Sequence, residues 1–170
     1  REIVRSFNYR YNTKVLIEPQ VKHTEILKVV GIDGKDKMSK SLNNHIELAS
    51  TPEETTKRVR EMVTDPARMK KTDPGNPDIC NVFTMHKIFS PQEEVDMINT
   101  ECRKAGIGCV DCKLRFANNL NKHLEPFRAK RNELASQESY VKDVLNDGGK
   151  RARVIAQETM SEVREAMQLP

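Results

Sequence analysis

At 170 residues, with 36% apolar and 32% charged residues and a net charge of +4, the chain can bury a core and reads as a soluble protein with much solvated helix surface. No apolar run approaches the roughly 20 residues that cross a bilayer and no secretory h-region is present, so the expectation is a cytoplasmic protein with no membrane partner. The mild positive balance permits a polyanionic partner without demanding one, and four cysteines without an export signal point to metal or redox chemistry before a disulfide framework.

Residues 1–12 place Ile3, Val4, Phe7 and Tyr11 on one helical face. Val15-Leu16-Ile17, closed by Glu18-Pro19, and Ile26-Leu27-Lys28-Val29-Val30 have the apolar density of buried strands, which suits an α/β domain already under way. Gly31-Ile32-Asp33-Gly34 then breaks the pattern, and residues 35–44 form a polar loop.

Helical grammar follows. Thr51-Pro52-Glu53-Glu54 combines an N-cap, a first-turn proline and a capping-box glutamate, predicting a helix over 52–64. Asn76-Pro77 opens a helix carrying Cys80, Phe83 and Lys87, and Ser90-Pro91-Gln92-Glu93 opens another with Val95, Ile98, Cys102 and Ala105, ended by a left-handed cap at Gly106. Leu114, Ala117, Leu120 and Leu124 mark a long helix bent at Pro126. A short helix over 137–145 is broken at Gly148-Gly149, after which Ala152, Ile155, Ala156, Thr159, Val163, Ala166 and Met167 form the surest stripe in the chain. The fold expected is mostly α, with an α/β piece over 1–50 and an all-helical piece over 51–170.

The loop Gly31-Ile32-Asp33-Gly34-Lys35-Asp36-Lys37-Met38-Ser39-Lys40-Ser41-Leu42-Asn43-Asn44 has the chemistry to hold a triphosphate. Lysine ammonium groups neutralise phosphate oxygens, while hydroxyls and loop amides add hydrogen bonds. Such donors stabilise the charge that develops as pyrophosphate departs. The alternative is a basic loop that simply faces water.

Cys80, Cys102, Cys109 and Cys112 are spaced C-x21-C-x6-C-x2-C. The two-residue gap lets Cys109 and Cys112 face one metal centre, while Gly106 and Gly108 return that knuckle toward the helix carrying Cys102. Four buried, reduced thiols acting as small hydrophobes are the alternative. Zinc and a [4Fe–4S] cluster both accept four cysteines; one knuckle plus two distant single cysteines is less usual for zinc and compatible with a cubane.

Lys37-Met38-Ser39-Lys40-Ser41, preceded by Gly31-Ile32-Asp33-Gly34, resembles the second signature of class I aminoacyl-tRNA synthetases. Tyrosyl- and tryptophanyl-tRNA synthetases share this loop. The segments Thr72-Asp73-Pro74-Gly75-Asn76-Pro77, Val82-Phe83, His86-Lys87-Ile88-Phe89, Gly108-Cys109-Val110-Asp111-Cys112-Lys113 and Lys150-Arg151-Ala152-Arg153-Val154-Ile155-Ala156 resemble the tryptophanyl family. So do Val163-Arg164-Glu165-Ala166-Met167 and the helix over 1–12, and the resemblance covers essentially the whole chain.

The resemblance implies the end of a Rossmann-type catalytic domain over 1–50 and a helical anticodon-binding domain over 51–170. It implies that Lys37 and Lys40 contact the phosphates of ATP, accompanied by Mg²⁺, and that Met38, Ser39 and Ser41 complete the ATP-binding loop. Tryptophan and its cognate tRNA would be substrates, in a homodimer.

A subset of bacterial members carries a [4Fe–4S] cluster on a cysteine pattern that differs from this one by a residue in the first gap. That resemblance assigns Cys80, Cys102, Cys109 and Cys112 as ligands, with zinc as the alternative and no redox turnover. His23, His45, His86 and His123 are isolated, so the family's first signature, of the His-Ile-Gly-His kind, is absent. The expectation is a carboxyl-terminal fragment, inactive alone.

Lys113, Arg115, Arg128, Lys130, Arg131, Lys150, Arg151 and Arg153 could place positive charge where an RNA backbone lies, or merely solvate helix faces. His86 and His123 are read as packing or surface residues rather than ligands. Two further readings stand beside the enzyme: a non-catalytic metal-dependent RNA-binding module, and a purely structural helical interaction domain.

Overall fold

The computed structural model describes every residue except Glu25 and Leu27. Among the described residues the regular structure is helical: α1 (Glu2–Arg10), α2 (Pro52–Glu61), α3 (Asn81–Phe89), α4 (Gln92–Arg103), α5 (Cys109–Ala135) and α6 (Glu138–Ala166), with a 3-10 turn at Pro77–Ile79. None of them is long and apolar enough to cross a membrane.

The mostly helical class agrees with the sequence; the two strands do not form among the described residues. Val15-Leu16-Ile17 is irregular backbone, and the Asn8 side chain supplies what a neighbouring strand would. Its Oδ1 accepts from the Leu16 N–H at 3.3 Å and its Nδ2 donates to the Leu16 carbonyl at 2.7 Å. In the second segment Leu27 lies outside the described residues, and only Val30 pairs, in an isolated antiparallel bridge with Lys37. Apolar density marks a segment for burial, but a strand also needs a partner for its backbone groups.

The chain divides into two compact units, one formed by Arg1–Glu25 with Leu134–Pro170, the other by Ile26–Glu133. The second unit holds the core. Val59 of α2 and Met62 just past its end, Val82, Phe83 and Met85 of α3, Val95 and Ile98 of α4, and Phe116, Ala117, Leu120 and Leu124 of α5 are buried together, with Ile32 and Cys80 at the margin. Each large aliphatic, methionine or phenylalanine side chain among them contributes on the order of 1.5–3 kcal/mol through burial.

The Thr51 capping box forms as the sequence predicts: the Thr51 hydroxyl accepts from the Glu54 N–H and the Glu54 carboxylate accepts from the Thr51 N–H. Three other boundaries differ from expectation. Asn76 caps only the 3-10 turn, and Cys80 is the residue that opens α3. The Ser90 hydroxyl is engaged by His86 and Asn119 instead of capping α4. The left-handed residue that ends α4 is Ala105 (φ 58°), one position before Gly106. The Gly106 N–H bonds the Glu101 carbonyl at 2.8 Å and the Ala105 N–H that of Cys102 at 3.2 Å, closing a Schellman pair.

In the first unit, α6 continues through Gly148-Gly149 where the sequence suggests a break. Each glycine costs about 1 kcal/mol in a helix interior, but neither has a positive φ. The helical stretches on both sides carry the ladder across.

Candidate functional site

The basic loop is a hairpin-like excursion held at its root. The Gly31 N–H bonds the Asp36 carbonyl at 2.8 Å, and the Met38 N–H bonds that of Val29 at 2.9 Å. The Gly34 N–H turns back to the Gly31 carbonyl at 3.0 Å, with Gly34 at φ 70°, a conformation that favours glycine. The Ile32 carbonyl accepts from the Val63 N–H at 2.9 Å, fastening the root to the end of α2.

Lys37 and Lys40 are exposed, as are Lys35 and Ser41, while Met38 and Ser39 are half-buried. Met38 packs against the core, so its side chain anchors the loop while the lysines point to water. The Ser39 and Ser41 hydroxyls lie 2.8 Å apart. Among the described residues no carboxylate forms a salt bridge with Lys37 or Lys40, which leaves two free ammonium groups for an anion.

The residues that organise this loop escaped the sequence reading. Asn44, 3% exposed, accepts the Ser39 N–H at 2.7 Å and donates to the Asp33 carboxylate at 2.9 Å. Asn44 first, and the Lys35 N–H second, hold the Asp33 carboxyl below the usual carboxylate range. Asn81 of α3 donates to the Gly31 carbonyl at 2.7 Å in a buried bond. The signal available in sequence was two asparagines at loop and helix boundaries, which capping and turn propensity explain equally well.

The four cysteines are free thiols, Cys80 buried and the others half-buried. Cys80 precedes α3, Cys102 lies in the last turn of α4, and Cys109 and Cys112 open α5. Cys112 lies within electrostatic reach of Cys80, Cys102 and Cys109, and Cys102 within reach of Cys80 and Cys109. Burial pushes the Cys112 thiol up to about 12, with Cys80, Cys102 and Cys109 adding to the rise. Cys102 is raised by burial, against the Arg68 guanidinium that lowers it.

Arg68, also missed in sequence, reaches in with Nη1 at 3.7 Å from Cys102 Sγ and 3.8 Å from Cys109 Sγ. Its Nη2 holds the Lys71 and Ile107 carbonyls at 2.9 and 2.8 Å, while its Nε is buried without a partner. A Cβ on Gly75 would stand 2.6 Å from Cys102 Sγ, so the thiol is cradled where only glycine fits.

Among the described residues no group of three or more Cys, His, Asp or Glu is drawn tightly enough for one metal ion. A single zinc at about 2.3 Å from each sulfur would bring them within roughly 4 Å of one another. A four-iron cubane spreads its ligands over separate corners. The four thiols stand just before α3, in the last turn of α4 and in the first turn of α5, and the Arg68 guanidinium beside Cys102 and Cys109 would offset thiolate charge.

His86 is fully buried, and burial pushes its pKa down. Its Nε2 faces the Cys112 carbonyl at 3.2 Å and its Nδ1 the Ser90 hydroxyl at 2.7 Å, a neutral imidazole joining α3 to α5. His123 stacks edge-on against Phe89, ring centroids 5.2 Å apart. Both have the packing roles the sequence assigns them.

Several of the basic side chains serve inside the protein. Arg128 donates to the Thr55 hydroxyl at 2.8 Å and to Asn121 at 3.0 Å, and Lys113 to the Arg60 carbonyl at 2.8 Å. Lys130 pairs with Glu133 and Arg151 with Asp147.

The family model described as tRNA synthetases class I (W and Y) matches residues 1–125. A tryptophan–tRNA ligase of Aquifex aeolicus is 44% identical over 171 aligned residues, covering 100% of this chain and 43% of that protein. One of Deinococcus radiodurans is 41% identical, covering 97% of this chain and 50% of its own length. The chain thus spans about half the length of the curated relatives it matches. The tryptophanyl-tRNA synthetase of Campylobacter jejuni, solved with ADP and tryptophan, superposes with a TM-score of 0.79 at 30% identity, over 99% of this chain and 52% of that one. Relatives of this kind give no support to a non-catalytic RNA-binding module.

Proposed function

This chain belongs to the class I tRNA synthetases of the tryptophan and tyrosine group, and we propose that it is the carboxyl-terminal part of a tryptophan–tRNA ligase. One observation carries the proposal. In a chain whose relatives are tryptophan ligases, a loop pinned through its backbone leaves Lys37 and Lys40 in solvent with no described carboxylate partner.

In the activation step a tryptophan carboxylate oxygen attacks the α-phosphorus of ATP. The bond to the bridging oxygen breaks, and pyrophosphate leaves with the electron pair. Charge grows on the departing group, where the Lys37 and Lys40 ammonium groups neutralise it, and Ser39, Ser41 and the loop amides, including that of Met38, donate hydrogen bonds. Mg²⁺ accompanies the ATP. A ribose hydroxyl of the cognate tRNA then attacks the carbonyl carbon of the adenylate, taking the tryptophanyl group as AMP leaves. The tryptophan pocket and the family's first signature belong to the other half of the enzyme, so this chain supplies half of the active site.

We assign residues 1–50 to the end of the catalytic domain and 51–170 to a helical anticodon-binding domain, in a cytoplasmic homodimer. Cys80, Cys102, Cys109 and Cys112 would hold a [4Fe–4S] cluster, with zinc as the alternative. When bound, the cluster would supply a covalent tie among the elements that carry these cysteines and no redox step. Arg68 offsets thiolate charge there, and Gly75 leaves room for Cys102.

Tryptophan-dependent ATP–pyrophosphate exchange by the full-length protein tests the enzyme. Binding of cognate tRNA that is indifferent to the anticodon would refute the assignment of the helical domain.

A further inference from the structure

The hydrogen bonds at the loop root go further than the loop's composition. We infer that Asn44 is a positioning residue for the phosphate loop: it fixes the backbone at Lys37 and Ser39, and so the places from which Lys37, Ser39 and Lys40 meet a triphosphate. This rests on the reading of the loop as the ATP loop.

Asn44 lies in a loop yet is 3% exposed. Its Oδ1 accepts the Ser39 N–H at 2.7 Å, and its Nδ2 donates to Asp33 Oδ2 at 2.9 Å and toward the Lys37 carbonyl at 3.4 Å. Its own carbonyl accepts the Ile32 N–H at 2.8 Å. One residue therefore joins the ascending limb, the descending limb and the segment that leaves the loop.

The neighbours fit this role. A Cβ on Gly31 would fall 2.2 Å from Asn44 Nδ2, so the bare glycine is the floor on which the amide rests. Asn81 holds that floor through the Gly31 carbonyl at 2.7 Å. On either side of Asn44, Arg58 of α2 grips the Asn43 and His45 carbonyls, fixing the backbone from which the side chain projects.

The chemistry requires an amide. An acceptor must face the Ser39 N–H and a donor must face the Asp33 carboxylate, and among small side chains of this length only the carboxamide offers both. The amide's partners are the Ser39 N–H, the Asp33 carboxylate and the Lys37 carbonyl, not the Lys37 or Lys40 ammonium or the Ser39 hydroxyl, so its influence on the phosphates runs through the backbone.

The test is Asn44→Asp in the full-length protein, alone and combined with Asp33→Asn, read by tryptophan-dependent ATP–pyrophosphate exchange, melting temperature and hydrogen exchange at the Ser39 amide. Alone, the substitution sets two carboxylates face to face. We expect kcat to fall by about a hundredfold, the cost of an ångström-scale misplacement of reacting groups, with the KM for tryptophan unchanged and faster exchange at Ser39. In the double variant the pair is reversed: the amide at 33 donates to the carboxylate at 44, whose other oxygen accepts the Ser39 N–H. There kcat and Ser39 protection should recover.

A single variant with wild-type kcat and wild-type Ser39 protection would overturn the inference, and so would a double variant that recovers neither. Should the single variant fail to fold, recovery or non-recovery in the double variant decides in the same way. If the wild-type protein shows no tryptophan-dependent exchange, the activation proposal fails separately. Ser39 protection, lost in the single variant and regained in the double, then judges the positioning role by itself.

Discussion

Replacing Asn81 tests how the core of the second unit holds the loop. The Asn81 side chain is 8% exposed and its Nδ2 gives the Gly31 carbonyl a buried hydrogen bond of 2.7 Å across 50 residues of sequence. In Asn81→Leu the volume is nearly kept and the donor is lost, leaving a buried carbonyl one hydrogen bond short, where a wholly unmet one would cost about 1–3 kcal/mol. Gly31 still accepts the Gly34 N–H at 3.0 Å, which places the expected loss near the lower half of that range, about 1.5 kcal/mol.

Asn81→Asp is more severe at pH 7, because an ionised carboxylate then faces a carbonyl oxygen in a buried site. Its folded-state pKa is raised, so the penalty is full at neutral pH and fades as pH falls through that raised value, where the acid regains a proton to donate. Urea unfolding of the full-length protein at pH 7 and pH 5, followed by a signal from the helical unit, measures both. Asn81→Leu within about 0.5 kcal/mol of wild type, roughly the scatter of surface substitutions, or an Asn81→Asp penalty that does not shrink on acidification, would refute the reasoning.

Lys37→Ala and Lys40→Ala should each lower kcat for exchange by about 10²- to 10³-fold, the usual loss on removing one donor to developing charge. Melting temperatures should stay near wild type because both side chains are exposed. The Asp33 carboxyl, held below its ordinary value first by Asn44, should titrate in an NMR experiment below about 3.9 and move up in Asn44→Ala. The stability it lends is complete above the ordinary value and is lost as pH falls through the depressed one, so wild-type stability should fall across that window and its advantage over a neutral Asp33→Asn variant should disappear there. Anaerobically purified protein should be brown, absorb broadly near 400 nm and carry about four irons per chain. Serine at any of Cys80, Cys102, Cys109 or Cys112 should abolish the colour, and colourless anaerobic protein with one zinc would favour the alternative.

Much of the helical architecture is legible where local chemistry decides. The Thr51 capping box needs only residues three apart in sequence, and α2 starts where that box puts it. What local chemistry leaves open is settled by partners distant in the chain. The strand expected at Val15-Leu16-Ile17 is satisfied by an asparagine eight residues earlier. The cap expected at Gly106 moves to Ala105, because the carbonyls of Glu101 and Cys102 set where the ladder closes, whatever residue sits there. Two glycines in α6 do not interrupt a helix that extends well beyond them on both sides.

The site divides in the same way. Lys37 to the second serine form a contiguous string with a chemical meaning of its own, and the C-x2-C knuckle advertises its neighbours. Arg68 and Asn44 carry no such mark. Arg68 lies 34 residues from one sulfur it approaches and 41 from the other. The role of Asn44 depends on Gly31 lacking a side chain 13 positions before it. Only the folded chain brings these together.

We propose above all that this loop belongs to an enzyme that activates tryptophan. Pyrophosphate exchange into ATP by the full-length protein, with tryptophan, with tyrosine or with no amino acid, tests it most directly. Exchange should require tryptophan and be lost when Lys37 and Lys40 are both alanine. Exchange that follows tyrosine, or no exchange with either amino acid, would contradict it.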